Sequence, residues 1–169
     1  MKKNYENSLR EIIKEYNLKP KKKLGQNFLH DKNIISSIVN KANIEDEDII
    51  EIGPGPGILT ESILNNKARS LLAIEKDDSF EVNLKKIRSN YRDNFDYLIN
   101  DVIDFDFKKL AKKNYKFVSN LPYNISVPFI LKMIRIRKII PWKEMILMVQ
   151  KEVAERITAK INTKNYGRL

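Results

Sequence analysis

The chain has 169 residues, about one domain's worth, and its 42% hydrophobic and 32% charged residues exclude both a disordered tail and a membrane-spanning segment. With no cysteine and a single histidine, His30, disulfides, thiolate metal sites and cysteine nucleophiles are excluded, and a zinc site or a Ser-His-Asp triad would lack its usual ligands. The net charge of +10 sits at the ends, with nine basic and four acidic residues in 1–32 and ten and three in 132–169 against thirteen and fifteen between, which suits a polyanionic partner or a merely solvated lysine-rich surface.

The N-terminus opens with Lys2 and Lys3 but has no apolar block, so it does not read as a signal peptide. Leu9, Ile12, Ile13 and Tyr16 follow helical spacing and predict an amphipathic helix. Leu18-Lys19-Pro20 breaks it, and Lys21, Lys22 and Lys23 lead into Leu24-Gly25-Gln26-Asn27-Phe28-Leu29, a basic loop hinged at glycine. From Asp31 the pattern alternates. Ile34, Ile35, Ile38, Val39 and Ala42 predict a helix, and Asp48-Ile49-Ile50-Glu51-Ile52 predicts a buried strand running into glycines. Further strands are predicted at Leu71–Ile74, Tyr97–Ile99, Phe117–Val118 and Met145–Val149. Helices are predicted near 57–66, 77–90, 107–113 and 126–136, with another after the last strand. Such alternation predicts an α/β fold, a parallel sheet covered by helices on both faces through right-handed crossovers.

The run Glu51-Ile52-Gly53-Pro54-Gly55-Pro56-Gly57-Ile58-Leu59-Thr60 is a glycine-rich turn between the first strand and a helix, where backbone can approach a ligand and a helix N-terminus offers unpaired N–H groups. It is a nucleotide-type loop. It is not a dinucleotide fingerprint, because Ile58 occupies the place of the third glycine, and no Lys-Ser or Lys-Thr pair follows as a phosphate-binding loop requires. Glu75 ends the second strand 22 residues after Gly53, where an acidic residue commonly accepts hydrogen bonds from ribose hydroxyls. Asp101 follows the third strand on the same sheet edge and is placed to hold an adenine amino group, whereas Asp104 and Asp106 read as solvated loop charges.

The fourth strand ends in Ser119-Asn120-Leu121-Pro122-Tyr123-Asn124-Ile125-Ser126. Asn120 offers an amide oxygen, Pro122 enforces an extended backbone, and Tyr123 presents an aromatic face. That trio suits a flipped base, since acceptors on the hydrogens of an adenine amine favour its pyramidal, nucleophilic form in the transition state and need neither a general base nor a metal.

In this combination the chain resembles the ribosomal RNA adenine dimethyltransferases, S-adenosylmethionine enzymes with a Rossmann-like fold, and within them the small-subunit, kasugamycin-resistance type. The resemblance runs from about Lys21 to Leu169 and rests on 22–29, 51–60, 120–126, Val149-Gln150-Lys151-Glu152-Val153-Ala154-Glu155-Arg156 and Tyr166-Gly167-Arg168-Leu169. It implies a division into 1–30, a basic helix and cofactor-contacting loop, and 31–169, the methyltransferase core. It implies that Gln26, Asn27, Leu29, Gly53 and Gly55 meet the methionine end of S-adenosyl-L-methionine, Glu75 its ribose and Asp101 its adenine. Asn120, which also borders the cofactor, would with Leu121, Pro122 and Tyr123 receive the target base. The implied job is dimethylation of two adjacent adenines near the 3′ end of small-subunit ribosomal RNA on the assembling subunit, by a cytoplasmic monomer with no metal and no membrane partner.

Members of that family continue past the Tyr-Gly-Arg-Leu segment with two more strands, an aromatic-proline segment and a small helical domain. The resemblance therefore implies a chain cut short at Leu169, with five parallel strands in the order 3-2-1-4-5, the fifth an open edge, and methyl transfer weakened or lost. Three competing readings stand beside this one: a non-catalytic RNA-binding or ribosome-assembly module, a large-subunit ribosomal RNA adenine methyltransferase, and a methyltransferase for DNA or protein glutamine.

Overall fold

A computed structural model describes residues 9–15, 25, 26, 28, 29, 31–110 and 114–167. At its centre lies β1 (Asp48–Ile52), buried at all five positions, the pattern of a parallel strand covered on both faces. β2 (Ser70–Glu75) and β4 (Tyr115–Asn120) flank it, β3 (Phe95–Ile99) pairs with β2 and β5 (Trp142–Met148) with β4, every pair parallel. The order is β3-β2-β1-β4-β5, as the resemblance implies, with β3 and β5 at the edges. Both edge strands begin earlier than predicted, at Phe95 and Trp142. Asp96, Lys143 and Glu144 interrupt their apolar runs, and an edge strand tolerates polar residues.

The helices are α1 (Leu9–Glu15), α2 (Lys32–Ala42), α3 (Ile58–Asn65), α4 (Glu81–Asn90), α5 (Ser126–Ile136) and α6 (Lys151–Ile157). α2 starts at Asp31, whose carboxylate accepts from the N–H groups of Asn33 (2.8 Å) and Ile34 (3.3 Å). It ends against Lys116, a buried lysine whose Nζ donates to the carbonyls of Ala42 (2.8 Å) and Asn43 (2.9 Å) and pairs with Glu144 at 2.9 Å. Carbonyls left over at the helix end thus find a charged donor. Two predicted helices differ in form. The stretch predicted at 77–90 opens as a 3-10 turn, Asp78–Phe80, capped by Asp77, before α4. At the stretch predicted as 107–113 the described residues form a 3-10 turn, Phe107–Leu110, which the Asp106 carboxylate starts by accepting from Lys108 N–H; residues 111–113 lie outside the description.

Alternation along the strands divides the core. Ile49, Leu71, Ala73 and Val118 face one side with α2, α3 and α4; Ile50, Ile52, Ile74 and Phe117 face the other with Phe105, Phe107 and α5. The aromatic rings of Phe107, Phe117 and Phe129 lie within 5.8–6.4 Å of one another in edge-on and tilted pairs. Between β1 and β4 the connections leave toward opposite faces, and the strands part there. Ile49 pairs with Lys116 and Ile50 with Phe117, but the N–H of Ile52 goes to the Ser119 hydroxyl at 2.8 Å. The crevice outside that switch point is where open α/β sheets take ligands.

Candidate functional site

A pocket of about 840 Å3, counting its open mouth, lies over the carboxyl ends of β1, β2 and β4 and the loop after β3. Its floor is the glycine loop. Gly53, Gly55 and Gly57 all have positive φ (65°, 53° and 82°), conformations that side-chain-bearing residues resist. Gly53 is also a contact point, since a Cβ there would lie 3.1 Å from Pro122 Cδ. The missing side chain lets the β1 loop touch the turn after β4, and the two halves of the pocket meet.

Glu75, at the end of β2, braces the loop. Its Oε2 accepts from Gly55 N–H at 3.0 Å and its Oε1 from Asp77 N–H at 2.8 Å. Burial pushes this carboxyl above the ordinary range, against the N–H groups of Asp77, Gly55 and Lys76, which pull it down. A carboxylate has about four lone-pair sites, so the bracing N–H groups still leave an acceptor for a ligand hydroxyl. Asp101 lines the same wall. Its Oδ1 accepts from Ile103 N–H at 2.8 Å, and its Oδ2 holds the Lys76 ammonium at 2.6 Å. The Lys76 contact holds the Asp101 carboxyl below its usual range. Asp104 and Asp106 are exposed and line no part of the pocket.

Across the mouth runs the loop of Gly25, Gln26, Phe28 and Leu29. Gly25 carbonyl accepts from Tyr123 N–H at 3.3 Å, Gln26 Nε2 donates to Asp77 Oδ2 at 2.9 Å, and Phe28 stands edge-on to Phe80 with centroids 5.8 Å apart. The loop therefore ties the β2 end to the β4 end. Asn27 lies outside the described residues, as do Lys21, Lys22, Lys23 and His30.

Of the residues singled out in the sequence, Gln26, Leu29, Gly53, Gly55, Glu75, Asp101, Asn120 and Pro122 line this one pocket. Two do not. Leu121 packs its side chain into the core at 1% exposure and donates its N–H to Met148 carbonyl, so only its own carbonyl is left for a ligand. Tyr123 sits outside the lining, 41% exposed beside the mouth, because the tight turn after Pro122 carries it past the wall.

Glu51, Phe28, Asn124 and Lys76 are among the lining residues to which the sequence assigns no role. Glu51 lines the floor with Thr60 Oγ1 donating to its Oε2 at 2.6 Å, and burial pushes its carboxyl up to about 8. Its signal was available, a carboxylate inside an otherwise apolar strand core. Phe28 and Asn124 line the walls from within the motifs at 22–29 and 120–126, and Lys76 meets a partner 25 positions away.

A parallel sheet in this order, with a glycine-rich floor and acidic strand ends, defines a Rossmann-like fold of the methyltransferase class. The model of the ribosomal RNA adenine dimethylase family matches residues 17–169, and the chain belongs to that family. It is 42% identical over 164 residues to the ribosomal RNA small subunit methyltransferase A of Nitrobacter winogradskyi, over 95% of this chain and 57% of that protein. To the protein of the same description from Clostridium acetobutylicum it is 41% identical over 163 residues, 95% of this chain and 58% of the relative. A dimethyladenosine transferase from Plasmodium falciparum has a similar structure, with a TM-score of 0.72 and 31% identity over 83% of this chain and 50% of the other. The chain thus spans less than two thirds of the length of these curated relatives.

Proposed function

We propose that the protein is an S-adenosylmethionine-dependent dimethyltransferase of adenine N6 in ribosomal RNA, acting on two adjacent adenines near the 3′ end of small-subunit RNA in the assembling subunit. Its working form is a cytoplasmic monomer. One observation carries the reading: the glycine loop with Glu75 and the Asn120–Pro122 turn border a single cavity, so a methyl donor and a base acceptor can meet in it.

The residues present fit the cofactor. Apolar Ile52, Ile74 and Val102 line the pocket alongside its few polar groups, the mixed lining of a small-molecule site. The acidic wall of Glu75 and Asp101 offers acceptors to ribose hydroxyls and an amino-purine, and Gln26 and the glycine backbone border the remaining end. When bound, S-adenosylmethionine supplies an electrophilic methyl group on a positively charged sulfur.

The protein's own part in the reaction is positioning and polarisation. Asn120 ends β4 half-buried at the wall, where its amide oxygen accepts a hydrogen from the target amine and favours a nitrogen lone pair directed out of the ring. The backbone beside Pro122 supplies the second acceptor, and Tyr123 at the mouth offers its ring for stacking. The Gly53–Pro122 contact keeps this turn against the floor, so the amine is held near the methyl rather than delivered by diffusion.

The experiment is labelled methyl transfer to immature small subunits, with cofactor affinity measured in parallel. In a protein of the relatives' full length, Asn120→Ala should lower the transfer rate by roughly 100-fold or more while leaving cofactor affinity nearly intact. Wild-type turnover by that variant would refute the role of Asn120, and methylation of naked DNA or protein in place of the ribosomal RNA would refute the substrate.

A further inference from the structure

β2 and β3 end side by side, with Asn100 N–H donating to Glu75 carbonyl at 2.7 Å, so the residues just beyond them, Lys76 and Asp101, stand at one corner of the pocket. Neither oxygen of Asp101 is bare. Oδ1 has the Ile103 N–H and Oδ2 has the Lys76 ammonium. Lys132 and Asp104 add their fields from the neighbouring elements, the first favouring the Asp101 anion and the second the Lys76 cation. An ammonium has three donors, and one is spent on Asp101. This corner therefore presents an acceptor and a charged donor together.

We infer that Lys76 is a specificity-determining residue of the pocket: it shares the Asp101 carboxylate with an amino-purine and itself offers a donor to a base edge. The inference rests on the proposed cofactor reading, in which the base lies against Asp101. A 6-amino group meets a carboxylate whose charge the ammonium already offsets, which weakens its bond. A 6-oxo group, which a bare carboxylate repels, finds the ammonium instead. Lys76 thus lowers affinity for the adenine form and narrows the gap between amino and oxo bases. Because the Lys76 side chain is 56% exposed, its effect is modest and its replacement leaves the fold intact.

Calorimetric titration of the chain with S-adenosylhomocysteine and with its 6-oxo counterpart, S-inosylhomocysteine, tests this. K76M should bind the adenine form about two- to fivefold more tightly and the oxo form about two- to fivefold more weakly, the scale of an exposed ion pair. In a D101N background, K76M should change the adenine affinity by less than about 1.5-fold, because the residue acts through Asp101. An unchanged amino-to-oxo ratio in K76M, weaker adenine binding, or an undiminished effect in D101N would overturn the inference while leaving the cofactor reading in place. Failure of the wild-type chain to bind S-adenosylhomocysteine would overturn the cofactor reading itself, and the inference with it.

Discussion

Glu51 brings a carboxyl into the middle of the sheet, and burial, the largest influence on it, pushes its pKa from 4.5 up to about 8 against the pull of the Thr60 hydroxyl. The folded protein then keeps a proton that the unfolded chain releases above pH 4.5, so stability falls as pH rises through that window and levels off above about 8. The greatest slope for one such group is about 1.4 kcal/mol per pH unit. Glu51→Gln keeps an acceptor for Thr60 and removes the proton. Urea unfolding at pH 5, 7 and 9 should show a flatter profile for the variant, with its advantage over wild type growing toward pH 9. Glu75, whose pKa burial also raises, retains part of the slope. Parallel profiles for the two proteins would mean that Glu51 is ionised in the fold.

Two short elements hold the pocket's rim, and each depends on a local feature. The loop at Gly25 docks on the turn after β4 because it has no side chain: at φ 63° a Cβ would lie 2.7 Å from Asn124 Oδ1 and 3.0 Å from the backbone nitrogens of Tyr123 and Asn124. Gly25→Ala should undock the loop at a cost of about 1–3 kcal/mol, weakening cofactor binding while barely moving the thermal midpoint, since the core is untouched. Equal affinity in that variant would show that the loop does not close the site. On the opposite side, Lys132 of α5 donates to the carbonyls of Val102 (3.2 Å), Ile103 (2.5 Å) and Phe105 (2.7 Å), and holds the loop that carries Asp101. Lys132→Met leaves those carbonyls without their donor. Urea unfolding should register a loss of roughly 1–3 kcal/mol, the cost of buried groups left unsatisfied; an unchanged midpoint would mean that water replaces the ammonium freely.

At the scale of the whole molecule, legibility followed locality. β1 and α5 were read with matching bounds because a doubly covered strand and a helix with a continuous apolar stripe write their burial into adjacent residues. The starts of the edge strands are less legible, because their limits depend on partner strands farther along the chain. The site divides the same way. Glycines and strand-end acids announce themselves, whereas the Lys76–Asp101 and Gln26–Asp77 pairs join residues 25 and 51 positions apart. Charge distribution is also a property of the whole: exposed Arg135, Arg137, Lys138, Lys160 and Lys164 make the last third of the chain basic. RNA binding by this surface should be mainly electrostatic. Raising salt from about 50 to about 200 mM should remove most of it, with a slope of roughly 0.7–0.9 per neutralised phosphate; salt-independent binding would point to base contacts instead.

The central claim is that one pocket, floored by the glycine loop and braced by Glu75, takes S-adenosylmethionine. Calorimetric titration of the chain with that compound addresses it most directly, repeated for Glu75→Ala and in the presence of NAD or ATP. The account predicts saturable binding at one site per chain, weakened by roughly 1.5–3 kcal/mol in the variant through lost charge-assisted bonds, and no displacement by either nucleotide. Absence of binding, equal affinity in Glu75→Ala, or displacement by NAD or ATP at comparable concentration would contradict it.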